Sequence, residues 1–482
     1  MKTGSDYETY ETVIGLEIHA QMKTSSKMFC GCPTTFGEEP NTQTCPVCIG
    51  MPGVLPVINK LALEFTIKTG VALGCKISPF SRFARKNYFY PDLPKGYQIS
   101  QYELPICEGG FVMLNVDGAE RRINLTRIHM EEDAGKNIHE GAGSFSYVDL
   151  NRAGVPLMEI VSEPDIKTPK EAAAYVRKIR TVLRYLDVCD GNMDEGSLRC
   201  DANVSLRPQG VKELGVKTEI KNINSFKFIE KALEYEIQRQ TRVLNEGGRI
   251  IQETRLWNTT AGITESMRSK EEAHDYRYFP EPDLVPLIAD KDMIERIRKQ
   301  IPELPDEKIQ RFISEYKLPA YDADLLAAER HTAAWFEETV SLGANPKDVS
   351  NWMMGELMRL LNEKGIAIEA SVLRPAHLNG LIKLVSDGTI NLKTAKTVFE
   401  DMFNTGKTAE EVVKEKGLVQ ISDVGELEKT VEVVITENPN ETARYKAGET
   451  KLTGFFVGEV MKKTKGKANP KAVNEILRRL LG

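Results

Sequence analysis

No stretch of this 482-residue chain approaches the roughly 18 consecutive apolar residues that a membrane-spanning helix needs. An apolar signal core is also missing near the start. Met1-Lys2-Thr3-Gly4-Ser5-Asp6-Tyr7-Glu8 carries early acids, which argues against a secretory signal or a transit peptide, so the cytosol is the expected location. Eight cysteines in a chain this long, without an export signal, are too few for a disulfide framework. There is no internal repeat and no low-complexity segment. The formal net charge of −6 excludes a generic polyanion binder. The sign is unevenly spread, however: residues 444–482 hold ten Lys/Arg against three Glu, a local +7 that leaves −13 for the remainder. A basic end on an acidic body implies that any nucleic acid is gripped locally.

What is present has ordinary globular composition, 41% hydrophobic and 28% charged. The length predicts two to four domains. Residues 12–22 alternate, with Ile14, Leu16, Ile18, Ala20 and Met22 on one face and Glu17, His19 and Gln21 on the other, which is a half-buried strand. Residues 199–207 repeat the pattern, and 110–117, 121–131, 155–161 and 216–223 are further strand candidates. Thr168-Pro169-Lys170-Glu171 is a helix start with a capping box, and a second helix runs from Ser225 to Gly247-Gly248. From Asp292 onward helical periods replace strand patterns, with strong starts at Asn345-Pro346, Thr408 and Asn469-Pro470. The expected fold class is therefore α+β: a large mixed domain over 1–291, an all-α domain over 292–406 and a small all-α tail over 407–482.

Two clusters carry chemistry. Cys30-Gly31-Cys32 and Cys45-Pro46-Val47-Cys48 supply four thiols in two close pairs, the donor set of a tetrahedral structural zinc ion with no open position; iron is the weaker alternative. The remaining cysteines, Cys75, Cys107, Cys189 and Cys200, read as small buried hydrophobes. The second cluster is acidic. Glu17 and His19 lie two apart on one strand face, about 7 Å from each other. Glu159 sits in an apolar run where a lone carboxylate would be costly, and Asp201 has a clean strand context. Glu131-Glu132-Asp133 adds a third acidic group, within which strand phase does not choose between Glu131 and Glu132. Oxygen ligands suit magnesium and hence phosphate chemistry. Each of the other acids taken singly reads as a solvated strand face; for Glu17, followed by His19 on a strand with an apolar back, that reading and a ligand role are even, and spacing alone does not show that the acids converge.

These segments resemble the GatB family. The resemblance is carried by Ile14-Gly15-Leu16-Glu17-Ile18-His19-Ala20-Gln21, by the run from Arg85 to Gln98, and by His129-Met130-Glu131-Glu132-Asp133-Ala134-Gly135-Lys136. It continues through Asp149 to Asp165, Met193 to Arg207, Glu219 to Phe226, His274 to Asp283 and Gly458 to Leu481, and so covers nearly the whole chain. It implies a glutamine-synthetase-like cradle domain, a helical domain and a YqeY-like tail. It also implies a magnesium and ATP site held by Glu17, His19, Glu132, Glu159 and Asp201, the family pattern favouring Glu132 over Glu131. His19 is an unusual magnesium ligand and could instead position a phosphoryl group. Lys86 corresponds to the family lysine at the exit of an ammonia tunnel.

The resemblance implies ATP-dependent phosphorylation of the side-chain carboxylate of Glu-tRNA or Asp-tRNA, followed by amidation. Ammonia must come from a partner, because no glutaminase triad is apparent and Ser25-Ser26-Lys27 lacks the glycine-rich setting of an amidase nucleophile. The implied partners are an amidase-type glutaminase and a small chain that wraps the other two, together forming a heterotrimer. In the tail, Lys462, Lys463, Lys465, Lys467 and Lys471 are candidate contacts to tRNA phosphates. Two rival classes are a zinc-stapled tRNA-binding protein without activity and a ligase acting on a free amino acid.

Overall fold

A computed structural model describes residues 10–138, 145–269, 276–418, 424–464 and 468–482. His274 and Asp275 of the motif above, with Lys465 and Lys467, lie outside the described residues. The chain divides into two compact units, Met1–Pro305 and Asp306–Gly482.

The first unit is built on one large sheet. Its principal strands are β1 (Tyr10–Gln21), β2 (Ala84–Asn87), β3 (Tyr97–Ser100), β4 (Phe111–Val116), β5 (Ala119–Glu132), β6 (Pro156–Ser162), β7 (Leu198–Pro208), β8 (Thr218–Lys221), β9 (Glu253–Asn258), β10 (Ile263–Ser269) and β11 (Phe279–Pro280). Their order across the sheet is β10-β9-β8-β7-β1-β6-β5-β3-β2-β11, with β4 pairing β5 through the turn at Asp117-Gly118. Neighbours pair antiparallel except β8 and β9. A parallel pair requires a crossover, and helix Phe226–Asn245, capped by Ser225, supplies it.

One face of the sheet is apolar. Ile14, Leu16, Ile18 and Ala20 of β1, Ile128 and Met130 of β5, Met158 and Ile160 of β6, and Cys200, Ala202 and Val204 of β7 are all buried in one core. Helix Pro169–Tyr185 covers it with Tyr175, Val176, Ile179 and Leu183, and helix Phe226–Asn245 with Ile229, Ala232 and Leu233. The Thr168 hydroxyl accepts from Glu171 N–H at 3.1 Å, as the capping signature requires. The opposite face of the central strands carries the polar residues.

Helix Lys291–Arg298 belongs to the first unit. Ile297 is buried in the sheet core and Arg296 pairs with Glu64 at 3.0 Å. The change of texture at Asp292 thus marks the end of the strands, whereas the unit itself runs to Pro305. The second unit is helical and contains two separate apolar cores. One gathers Phe312, Phe336, Trp352, Phe399 and Met402, and includes Ala409, Val412 and Val413 of helix Ala409–Lys416. The other starts only at Leu427 and gathers Val431, Val434, Phe456, Val460, Val473 and Leu477. Thr408 does begin a helix, with the capping box to Glu411, but that helix is buried against the preceding core. No helix of the described residues is long and apolar enough to cross a membrane.

Candidate active site and metal centres

Strand parity assembles the candidate active site. Cross-strand partners share a face. Across β7, β1, β6 and β5, Asp201, Glu17, Val161 and Arg127 form one row, and Arg199, His19, Glu159 and His129 the next. Glu131 follows, opposite Leu157. This polar face lines a cavity of about 500 Å3 that also receives Lys86, Asn203, Glu219, Lys221, Tyr276 and Tyr278.

Four of the five expected ligands therefore line one cavity: Glu17, His19, Glu159 and Asp201. The fifth does not. Glu132 faces a different cavity of about 200 Å3, beside Cys30, Cys48 and Lys95. Its Oε1 accepts from Ile99 N–H at 2.9 Å and forms a close ion pair with Lys95. Glu131 takes the position expected of Glu132. His19 Nε2 is 3.9 Å from Glu131 Oε1 and 3.6 Å from Glu159 Oε2, and donor atoms from all three lie within 4.8 Å of one another. The reason is a β-bulge. Val161 pairs with Arg127 but Ser162 pairs with Leu125, so Thr126 is an extra residue in β5. Ile123 and Leu125 face the core before it and Ile128 and Met130 after it. The phase flips at Thr126, which is why the segment does not read as a clean alternation.

The carboxylates of the cavity differ in how far neighbouring cations compensate them. Burial raises the Glu17 carboxyl above its ordinary range, and nearby Glu159 and Glu219 push it further the same way. Its Oε1 accepts from Asn203 Nδ2 at 3.0 Å. Burial would lower the His19 imidazole, but Glu159, Glu131 and Asp201 prevail and raise it. Burial would raise Glu159, yet His129, with Nε2 at 3.3 Å, and His19 hold it well below its usual value. Asp201 accepts from Lys221 Nζ at 2.8 Å, and Lys221 also reaches Glu219 at 3.2 Å. Burial disfavours the Lys86 ammonium, but Glu131 and the other surrounding groups outweigh it and keep it charged. Its Nζ lies 5.0 Å above the Tyr276 ring.

Strand phase left Glu131 and Glu132 open, and sequence reasoning missed Arg127, His129, Asn203, Glu219, Lys221, Tyr276 and Tyr278 as cavity residues. The signal for Asn203, Glu219 and Lys221 was available in the alternation of Asp201-Ala202-Asn203 and Glu219-Ile220-Lys221. For β5 it was masked by the bulge.

The cysteine cluster is a second centre. Sγ atoms of Cys30, Cys32, Cys45 and Cys48 all lie within 4.8 Å of one another, and those of Cys45 and Cys48 are 4.0 Å apart. Zinc–sulfur bonds of about 2.3 Å around a tetrahedron place sulfurs about 3.8 Å apart, so the four sulfurs fit that ion. The thiols are free. Cys48 is pushed down to about 4, chiefly by a hydrogen bond from Cys30, with Lys27 contributing; Cys32 is pushed up to about 11, chiefly by burial. Lys27 is itself buried, with Nζ 3.7 Å from Cys48 Sγ and 3.2 Å from Leu150 O. Of the other cysteines, Cys107, Cys189 and Cys200 are buried and Cys75 is half-buried.

In the tail, Lys463 pairs with Glu437 at 2.7 Å and Lys462 lies against Glu459. Both pairs are largely exposed, so each contributes little to stability. Lys471 lies on helix Pro470–Leu481.

Comparison with known proteins accounts for this arrangement. Residues 12–295 match the GatB/GatE catalytic domain and residues 334–481 the GatB domain. The chain belongs to the GatB family. Among individual relatives, it is 64% identical over 472 residues to the B subunit of the aspartyl/glutamyl-tRNA(Asn/Gln) amidotransferase of Thermodesulfovibrio yellowstonii, covering 98% of this chain and 99% of that one. Proteins of the same description from Caldanaerobacter subterraneus (58% over 469 residues, 97% and 98% covered) and Syntrophotalea carbinolica (56% over 472 residues, 98% of each) are similar along their whole length.

Proposed function

We propose that this chain uses ATP to phosphorylate the side-chain carboxylate of Glu-tRNA(Gln), Asp-tRNA(Asn) or both. The acyl phosphate is then amidated with ammonia from an amidase-type glutaminase partner, in a cytosolic heterotrimer completed by a small wrapping chain. The observation that carries this reading is the gathering of Glu17, His19, Glu131, Glu159 and Asp201 on one sheet face around a single cavity. A Glu17 carboxyl raised by burial and by its acidic neighbours is what a site made for a cation looks like when only protein charges are counted. Glu17, His19, Glu131, Glu159 and Asp201 are the residues that would hold magnesium. The ion, when bound, would screen the repulsion between the substrate carboxylate and the nucleotide phosphates.

A free carboxylate is a poor acceptor for ammonia because oxide does not leave. Attack of a carboxylate oxygen on the γ-phosphorus, with departure of ADP, gives an acyl phosphate. Ammonia then attacks the acyl carbon, and phosphate leaves and takes up the proton. Lys86 stays charged, so it serves as a cation toward the developing anionic oxygens and not as the base that deprotonates ammonia. His129 and Lys221 position the carboxylates of Glu159 and Asp201.

Cys30, Cys32, Cys45 and Cys48 would hold a structural zinc ion. The tail would hold tRNA through Lys462, Lys463, Lys465, Lys467 and Lys471, by phosphate contacts that carry little sequence preference. The test is ADP release by the assembled heterotrimer. It should require misacylated tRNA and magnesium. Equal ADP release with free glutamate and no tRNA would replace this reading with the amino-acid ligase.

A further inference from the structure

We propose that Arg127 is the phosphate-binding residue of the active-site cavity, its guanidinium taking the phosphoryl group that ATP donates; this rests on the ATP-dependent reading above. The other cations of the cavity face carboxylates or an aromatic ring. Lys221 bridges Asp201 and Glu219, His129 holds Glu159, and Lys86 lies over Tyr276. Lys217 is drawn to Glu219, whose carboxyl it helps to lower. Arg127 is different. Its Nε is buried and finds no acceptor among the described residues. Its cross-strand neighbour toward the carboxylates is Val161, the apolar member of that row, and on the other side Glu108 is turned to Lys76 at 3.9 Å.

A desolvated guanidinium nitrogen with no acceptor is costly to maintain. Simple stability would favour an apolar residue beside Val161. A ligand oxygen supplies the missing acceptor, and among ligands of this cavity a phosphoryl group matches the planar fork best. Arg127 shares the cavity with Glu17, His19, Glu131 and Glu159. A phosphoryl group held between that acidic cluster, with its cation, and Arg127 would have its negative charge compensated from two directions. During transfer charge spreads over the equatorial oxygens, so the same contact strengthens in the transition state.

The phosphate could belong to ATP or to the 3′ end of the tRNA, and the kinetics separate the two. In the assembled heterotrimer, Arg127→Gln should lower kcat/KM for ATP about 100-fold, as loss of one charged donor to a developing anion does. Arg127→Lys should recover part of it, and KM for the misacylated tRNA should stay as in wild type. Calorimetric titration with magnesium and a non-hydrolysable ATP analogue should show weaker binding in Arg127→Gln, independently of turnover. Wild-type kcat/KM for ATP in both variants would overturn the proposal, as would a loss confined to KM for tRNA. If Arg127→Gln fails to assemble, Arg127→Lys decides alone: a wild-type value refutes. Glu159→Gln, measured in parallel, separates the two levels. Loss of ADP release there with wild-type ATP kinetics in the Arg127 variants removes only the role of Arg127. Absence of ADP release in wild type removes both.

Discussion

Replacing Glu131 with Gln should stop tRNA-dependent ADP release, whereas replacing Glu132 with Gln should leave it largely intact. The two residues are adjacent, so any remote effect on the strand would touch both. Glu131→Gln keeps the side-chain volume and can keep the contact with Ser100 Oγ at 3.2 Å, but removes one negative charge from the group within 4.8 Å of His19 and Glu159. Losing one preorganised charged contact to the reacting centre costs about 10²–10³ in rate, or about 3–4 kcal/mol. Glu132→Gln acts elsewhere. It leaves the Lys95 ammonium without its carboxylate, in a pair whose side chains are only 10% and 4% exposed. Breaking a buried pair costs about 3–5 kcal/mol of stability, so this variant should melt earlier while still turning over at low temperature. The assay is ADP release by the heterotrimer supplied with ammonium salt in place of glutamine, which bypasses the partner's glutaminase, alongside a melting curve. Full activity in Glu131→Gln, with loss in folded Glu132→Gln, would refute the parity argument and return the ligand role to Glu132.

Metal analysis should find about one zinc per chain, and Cys45→Ser should lower that content and the melting temperature together; an intact four-thiol protein without zinc would refute the site. Removing residues 419–482 should weaken tRNA binding and flatten its salt dependence while the first unit keeps its melting transition; unchanged tRNA affinity would remove the tail from recognition. A cut after Lys407 should also destabilise the helical unit, because it strips Ala409, Val412 and Val413 from its core. Asp322 provides a pH test. Burial opposes its ionisation, but Lys347 at 2.7 Å and Ser350 outweigh that and lower its pKa. The unfolded carboxyl titrates near 3.9, so the stabilisation is complete above that value and fades as pH falls through the lower folded value. Asp322→Asn should therefore lower the melting temperature at pH 7 and progressively less as the pH is taken down below about 3.9; a loss that stays constant down the acid series would refute the charge argument.

Sequence alone determined the local elements whose pattern is complete within a few residues. The alternation of Ile14, Leu16, Ile18 and Ala20 against Glu17 and His19 is sufficient for a half-buried strand, and Thr168, Ser225 and Thr408 announce their helices because a cap is satisfied by its own first turn. Paired cysteine spacing was likewise enough to nominate a four-sulfur centre. The motif resemblance carried the family without any coordinates. Tertiary structure decided whatever depends on partners far along the chain. The extra residue at Thr126 turns Glu131, and not Glu132, to the cavity, because a bulge inverts strand phase relative to a neighbour that the strand's own sequence does not name. Helix Lys291–Arg298 completes the first unit, and helix Ala409–Lys416 packs into the core that precedes it, because an amphipathic face specifies burial but not the surface it is buried against. That Glu17, Asp201, Glu159 and Glu131 line one cavity is of the same kind: it follows from sheet register, a relation between strands.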